Sequence, residues 1–330
     1  MNKIKIGQIG LGHNHGQAKM LAVRKFPEMF EVVGLCEPDI EWVKKRINLE
    51  GYENLQLMSE EELLEKCDAV LVECDVWNLT ETAMRCIKAG KHVHIDKPAS
   101  GTLEEFKELL DMAKAKNLTV QLGYMYRHNH AIQKCFELYK NGELGEIYQI
   151  DAQMSTHHSD EYRKWLDHFK GGSMYIFGSH LLDLILLMLG EPQKVHSFIK
   201  QTGLNGVYSD DNCFAVFEYE KAIAKVTNIS TEINGWGMRR FTVTGSKGTV
   251  EIKPIELDVE MYFSKIENDS NPYKNIREKI EVEDVPSRKR YDPMMKEFYE
   301  SIMGINPNPY TYDHEYLVQK VLYEITGGEK

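Results

Sequence analysis

The segment Lys5 to Gly16, KIGQIGLGHNHG, runs an apolar strand into closely spaced glycines, a pattern suited to holding the pyrophosphate of a dinucleotide. Gly10 supplies the tight turn out of the strand. Gly12, without a Cβ, lets the backbone approach a pyrophosphate at the N-terminus of the next helix. His15 takes the third glycine position of G-x-G-x-x-G, and the next glycine is Gly16. A glycine-bearing turn with no ligand shares these features, so context must decide between the two. Glu37 ends the next apolar run, about 20 residues beyond the glycines, where a carboxylate accepts hydrogen bonds from both ribose hydroxyls and repels a 2'-phosphate. NAD is therefore expected over NADP, although an acidic residue at a strand end is also commonly a solvated loop carboxylate. Leu11, His13, Asn14 and His15 in the turn, Cys74, Asp75 and Asn78 after a later strand, and Asp96 with Lys97 complete the candidate cofactor contacts.

Lys97 stands at the carboxyl end of a strand, immediately before Pro98, so its ammonium is expected to face the cofactor crevice. There it can hydrogen-bond a reacting oxygen and stabilise a developing alkoxide. His180 is the candidate general base, because imidazole titrates near neutral pH and a positioned base contributes about 10²–10⁴ in rate. Each has a plainer reading: a solvated lysine at a strand end, and a histidine satisfied inside an apolar core. Asp183 lies on the same helical face as His180 and is either its orienting carboxylate or a structural partner. Tyr124, Tyr126, Arg127 and His128 follow a strand and are expected to line a cleft between domains, offering the directional donors and acceptors that substrate hydroxyls need. His158 and Trp165 join them as candidate substrate contacts, Trp165 being equally suited to the core. His157, His158, His168 and His180 invite a metal, but no H-E-x-x-H or H-x-x-x-H spacing supports one, and none is expected.

The elements that carry these residues alternate. Ala18, Leu21, Ala22 and Phe26 recur at helical spacing, and Val32 to Cys36 reads as a buried strand. Ser59 to Glu62 and Thr102 to Glu105 are capping boxes, while Ala69 to Val72, His92 to Ile95 and Leu118 to Leu122 are apolar strands. The series implies an α/β fold, a doubly wound parallel sheet over residues 1–123 that binds its ligand at the carboxyl ends of the strands. From residue 124 to 330 the rhythm changes to an α+β domain. It has helices at Ala131 to Lys140 and Ser179 to Leu189, and a large, mostly antiparallel sheet from Ile147 to Met154 and the runs between Val195 and Ile252. Ser264 to Arg290 is charged and reads as surface loop and edge strand, and helices near Met294 to Met303 and Tyr312 to Thr326 end the chain, with the option of packing back on the first domain. The two domains are expected to share a firm interface.

At 330 residues with 42% hydrophobic content the chain can bury two cores. Its net charge of -11 repels phosphate backbones, so nucleic acid and anionic membrane are poor partners and a small molecule is the expected one. The first strand begins by Lys3 and the longest apolar stretch, Leu181 to Leu189, contains Asp183, so a cytoplasmic protein is expected. Six cysteines without C-x-x-C pairing read as free thiols.

Ala89 to Pro98, AGKHVHIDKP, placed at the end of a fifth strand, resembles the A-G-K-H-V-x-x-E-K-P signature of the glucose-fructose oxidoreductase, inositol dehydrogenase and rhizopine catabolism (Gfo/Idh/MocA) family. The G-x-G turn, Gly171-Gly172 leading into Gly178-Ser-His180-Leu-Leu-Asp183, Gly245-Ser-Lys-Gly248 and Asp313-His-Glu315 extend the resemblance over nearly the whole chain. It implies a Rossmann domain joined to an open-sheet α/β domain. It also implies NAD(P)-dependent oxidation of a secondary alcohol of a sugar, glycoside or cyclitol, or reduction of the ketone, in a homodimer or homotetramer built through that sheet. Asp96 keeps the carboxylate of the family's usual Glu, whereas Ile176 stands where catalytic members carry the Asp of D-x-x-x-H. That change permits a non-catalytic NAD-binding sensor, and within the enzyme class the alternative is a glycosidase or epimerase-like member that uses bound NAD for transient oxidation.

Overall fold

The computed structural model describes residues 3–267, 273–283 and 289–328. The chain forms two compact units, Met1–Met125 with Ser287–Gln319, and Tyr126–Pro286 with Lys320–Lys330. The first unit thus takes in a C-terminal segment, Ser287–Gln319.

In the first unit, strands β1 (Ile4–Ile9), β2 (Phe30–Cys36), β3 (Ala69–Val72), β4 (His92–Ile95) and β5 (Val120–Leu122) alternate with helices α1 (Gly16–Arg24), α2 (Ile40–Arg46), α3 (Glu60–Lys66), α4 (Leu79–Lys88) and α5 (Leu103–Ala115). All strand pairs are parallel and the order is β2-β1-β3-β4-β5. The order reverses between β1 and β3, which puts a crevice at their carboxyl ends. β3 is buried along its whole length, as a strand covered by helices on both faces must be. Both capping boxes form: Ser59 and Glu62 open α3, and Thr102 and Glu105 open α5. Lys97 follows the fourth strand, not the fifth. The face of α1 also differs from the expected one. Ala18, Leu21 and Phe26 are half-buried, while Lys19, Met20, Ala22 and Val23 face the core.

The second unit contains α6 (His130–Lys140), β6 (Ile147–Gln153), α7 (Asp160–Leu166) and α8 (Ser179–Leu189). Strands β7 (Lys194–Lys200), β8 (Asn212–Glu218) and β9 (Ile223–Ile229) come next, then the short α9 (Gly235–Met238). Strands β10 (Arg240–Gly245), β11 (Gly248–Ile252), β12 (Met261–Ile266) and β13 (Asn275–Ile280) complete the sheet. The eight strands run in the order β13-β12-β11-β10-β6-β9-β8-β7, and only β6 and β9 pair in parallel. Burial alternates along β8, β9, β10 and β11, so one face is core and the other is open. The leucine-rich α8 lies against the inner face at β6 and β9 and is buried nearly end to end. Of the charged segment Ser264 to Arg290, β13 forms the sheet edge, and residues 268–272 and 284–288 lie outside the described residues. Helices α10 (Asp292–Ile302) and α11 (Tyr312–Thr326) end the chain. α10 packs on the first sheet through Phe298 against His94 and Tyr299 against Phe30. All six cysteines are free, and no helix among the described residues is long and apolar enough to cross a membrane.

Candidate active site

At the carboxyl end of β1, Gly10 adopts φ +95°, and a Cβ there would meet the Cys74 backbone nitrogen at 2.3 Å; one on Gly12 would meet Asp75 at 2.8 Å. Only glycines fit this cradle. Gly16, one residue late for the motif, packs the start of α1 so closely that a Cβ there would lie 3.0–3.1 Å from Glu73, Gln8 and Tyr52, the close helix-to-strand approach that the third glycine normally permits. His15 is thereby freed to turn its ring inward. Glu37 caps the turn from β2: its Oε2 accepts from the Leu11 N–H at 2.6 Å and its Oε1 from Asp39 N–H at 2.9 Å. Burial pushes its carboxyl up, against those two hydrogen bonds and with the help of nearby Asp39 and Asp75. Asp75 accepts from the Trp42 indole at 3.1 Å, and Arg46 clamps the His13 carbonyl and the Asn14 side chain at 2.7 Å each. Asn78 N–H closes on the Asp75 carbonyl, and burial pushes the Cys74 thiol up to about 12, so it stays protonated. The glycine cradle, the helix start and the Glu37 carboxylate fit a nicotinamide dinucleotide: backbone groups of 10–15 for the pyrophosphate, Glu37 for the ribose.

Beneath the turn Lys19, which no sequence pattern announces, joins His13, His15 and Asp96. Lys19, fully buried on α1, donates to Glu73 Oε1 at 2.8 Å and Asp96 Oδ2 at 2.5 Å. The same Asp96 oxygen lies 3.0 Å from Nδ1 of both His13 and His15, and Asp96 Oδ1 accepts the Lys97 N–H at 2.7 Å. Tyr291, also fully buried, covers the Lys19 ammonium and the His15 ring. Burial pushes His15 down to about 3 and lowers His13, despite Asp96, so both imidazoles are uncharged near neutrality. Burial also pushes Glu73 up to about 8, so it keeps its proton. Asp96 would be raised by burial, but His13, Lys19 and His15 outweigh that and hold it well below the usual range; of these Lys19 carries the charge. Among the described residues, His13, His15 and Asp96 are the group of ligand-type side chains that converges. The Lys19 ammonium on the shared oxygen disfavours a cation there. One feature does mark Glu73 in the sequence: it follows directly on the buried run Ala69 to Val72. Lys97 itself is buried at the end of β4.

In the second unit, His180 occupies the first turn of α8, buried, with its ring 5.4 Å from that of Tyr126. Gly172 and a π-turn over Met174–Gly178 lead into that helix, and Ile176 is buried within the turn. Arg127 and Asp183, both buried, form a two-point ion pair at 2.7 and 2.9 Å. Both Asp183 oxygens face the guanidinium, which favours the structural reading of Asp183. His158 stacks against Tyr162 at 4.3 Å and Phe177 at 4.9 Å, and burial pushes it down to about 4. Trp165 is half-buried against Tyr162 and Phe169. His157 and His168 are exposed and meet the Thr231 and Trp165 carbonyls. Tyr126 donates to Glu256, which pairs with Arg239 at 3.1 Å. Glu256 and Arg239 are site residues that motif reading missed.

A sequence profile described as the oxidoreductase family NAD-binding Rossmann fold matches residues 4–124, and one described as the same family's C-terminal alpha/beta domain matches 137–326. The chain belongs to the Gfo/Idh/MocA oxidoreductase family. Similar curated proteins include YhhX of Escherichia coli, an uncharacterized oxidoreductase 32% identical over 175 residues, 51% of this chain and 48% of YhhX. Another is glucose-6-phosphate 3-dehydrogenase of Bacillus subtilis, 24% identical over 231 residues, 68% and 65% of the two chains. The matched stretches span about half the length of such relatives. A crystal structure of a putative NADPH-dependent oxidoreductase from Desulfitobacterium hafniense superposes with a TM-score of 0.84 at 18% identity, covering 99% and 95% of the chains, which shows a shared fold. Within this Gfo/Idh/MocA chain the Rossmann unit gathers Gly10 to His15, Glu37, Cys74, Asp75, Asn78, Asp96 and Lys97 at strand carboxyl ends, and the C-terminal unit gathers Tyr126 with His180.

Proposed function

We propose that this protein is an NAD-dependent dehydrogenase acting on a secondary alcohol, or the matching ketone, of a neutral sugar, glycoside or cyclitol. The observation that carries the reading is Lys97, buried at the end of β4 and tied through Asp96 to the dinucleotide turn. A cation in that position supports a developing alkoxide, and His180 takes the hydroxyl proton. The nicotinamide, when bound, accepts the hydride. Glu37 supports NAD over NADP, since a 2'-phosphate would meet its carboxylate with Asp39 and Asp75 close by.

Charge supports a neutral substrate. Arg127 and Arg239 each hold a carboxylate partner, and burial pushes His128 and His158 down to about 4, so both are uncharged at neutral pH. A polar cluster without net positive charge suits hydroxyls better than phosphate. The Bacillus relative is named for dehydrogenation at position 3 of a sugar phosphate, which supports a ring hydroxyl as the reacting group. The open face and edges of the eight-stranded sheet expose Tyr148, Phe198 and Ile223, and we assign them to a homodimer or homotetramer interface. Screening neutral polyols and glycosides for reduced nicotinamide, with a mass check for cleaved product, tests the function. Cleavage without net reduction would favour the transient-oxidation alternative, and tight NAD binding with neither outcome would favour a sensor.

A further inference from the structure

Ile176 leaves the expected orienting carboxylate out of the second unit, yet another carboxylate reaches the neighbourhood of His180 from a different direction. Glu256 lies on the loop between β11 and β12, and that loop is pinned at two points: Asn129 donates to the Ile255 carbonyl at 2.9 Å, and Ile255 N–H to the Arg239 carbonyl at 3.2 Å. The next two residues, Leu257 and Asp258, adopt φ +57° and +63°. A leucine in that region is costly and persists only where the surroundings hold it. The loop presents Glu256 Oε1 to the hydroxyl of buried Tyr126 and, 3.1 Å away, to Arg239. Arg239 is itself fixed by the Ser155 carbonyl, Thr156 Oγ1 and the face of Trp236. On its other side the Tyr126 ring lies 5.4 Å from the ring of His180.

We propose that Glu256, through the Tyr126 hydroxyl, supplies the carboxylate that position 176 lacks, with Tyr126 as a catalytic proton carrier and Glu256 as its positioning residue and proton acceptor. The proposal rests on the dehydrogenase reading. In alcohol oxidation the substrate C–H bond breaks and its electron pair leaves as hydride, which the dinucleotide takes up, while the C=O bond forms. The substrate O–H proton moves to His180, and the imidazolium passes a proton to the Tyr126 oxygen as the Tyr126 proton moves to Glu256 Oε1, giving a neutral carboxylic acid and a neutral imidazole. Glu256 is 13% exposed, so that proton has a route to water. Arg239 and Tyr126 face Glu256, His180 faces Tyr126, and uncharged His158 lies near Arg239, so Glu256 is the carboxylate in this set that can accept the proton.

The test uses full-length protein with NAD and a polyol that the wild type oxidises. Tyr126→Phe and Glu256→Gln should each lower kcat by at least about 10-fold with KM within about threefold, toward the low end of what a positioned acid or base contributes. The double variant should be no worse than the poorer single one, because the two act as a unit. Glu256→Asp should restore part of the kcat that Glu256→Gln loses, a rescue that a purely structural role would not give. Two further readouts need no turnover. NAD affinity should stay at the wild-type value, and the ¹⁹F resonance of fluorotyrosine-labelled protein that disappears in Tyr126→Phe should shift in Glu256→Gln, which replaces the carboxylate that accepts from the Tyr126 hydroxyl. A kcat that survives Glu256→Gln overturns the relay and leaves the dehydrogenase reading standing. A wild type that oxidises no polyol overturns the dehydrogenase reading, and the relay with it.

Discussion

Replacing Lys19 by methionine keeps the length and apolar stem of the side chain and removes its charge from a fully buried site. Lys19 is the cation between Asp96 and Glu73, at 2.5 and 2.8 Å. Burial acts to lower its pKa, but the two carboxyls outweigh that and raise it, so the ammonium is present throughout the working range. Glu73 already holds a proton up to about pH 8, mainly because it is buried, so the pair that carries charge is Lys19 with Asp96. Removing one member of a buried ion pair costs about 3–5 kcal/mol, because the other charge is left without compensation. For a unit of this size that corresponds to roughly 6–20 °C in Tm, at about 2–4 °C per kcal/mol. The sign of the pH dependence follows. Without the ammonium, buried Asp96 has a folded pKa above its unfolded one, so the deficit relative to wild type is smallest in acid and grows as pH rises through the variant's folded pKa. Urea denaturation of wild type and Lys19→Met at pH 5 and pH 8 measures it. A loss below about 1 kcal/mol, or one equal at the two pH values, refutes an uncompensated buried carboxylate.

Glu37→Ala should narrow the preference for NAD over NADP in calorimetric titration, since it removes a ribose acceptor and a repulsive charge together; an unchanged ratio would contradict the role given to Glu37. Stability should fall as pH drops from 6.5 toward 4, because His128 and His158 are pushed to about 4 and His15 to about 3, chiefly by burial, and the unfolded chain takes up protons first. Glu73, raised to about 8, works the other way between pH 4.5 and 8, so His158→Gln should flatten the acid slope and Glu73→Gln should steepen it, both read by urea denaturation.

The fold was legible because its signals are local. Ser59 with Glu62 and Thr102 with Glu105 mark helix starts within four residues, and Ala69 to Val72 is apolar enough to be nothing but an interior strand. The glycine turn was legible for the same reason. What stayed hidden depends on residues far apart in the chain. Lys19 looks like a surface lysine on a hydropathy reading, and its partners stand 54 and 77 residues away, so the face of α1 was assigned to Ala18, Leu21 and Phe26 instead. Tyr126 and Glu256 are 130 residues apart and belong to no motif. Asp183 carried two readings in the sequence, and its pairing with Arg127, 56 residues earlier, separates them.

The central claim is that a cation at the end of β4 and a base at the start of α8 serve hydride transfer to NAD. The most direct test follows reduced nicotinamide with a neutral polyol for wild type, Lys97→Ala and His180→Ala. The account predicts net reduction by wild type and a fall in kcat of about 100-fold or more in each variant, with NAD affinity nearly unchanged. Full activity in Lys97→Ala would contradict it.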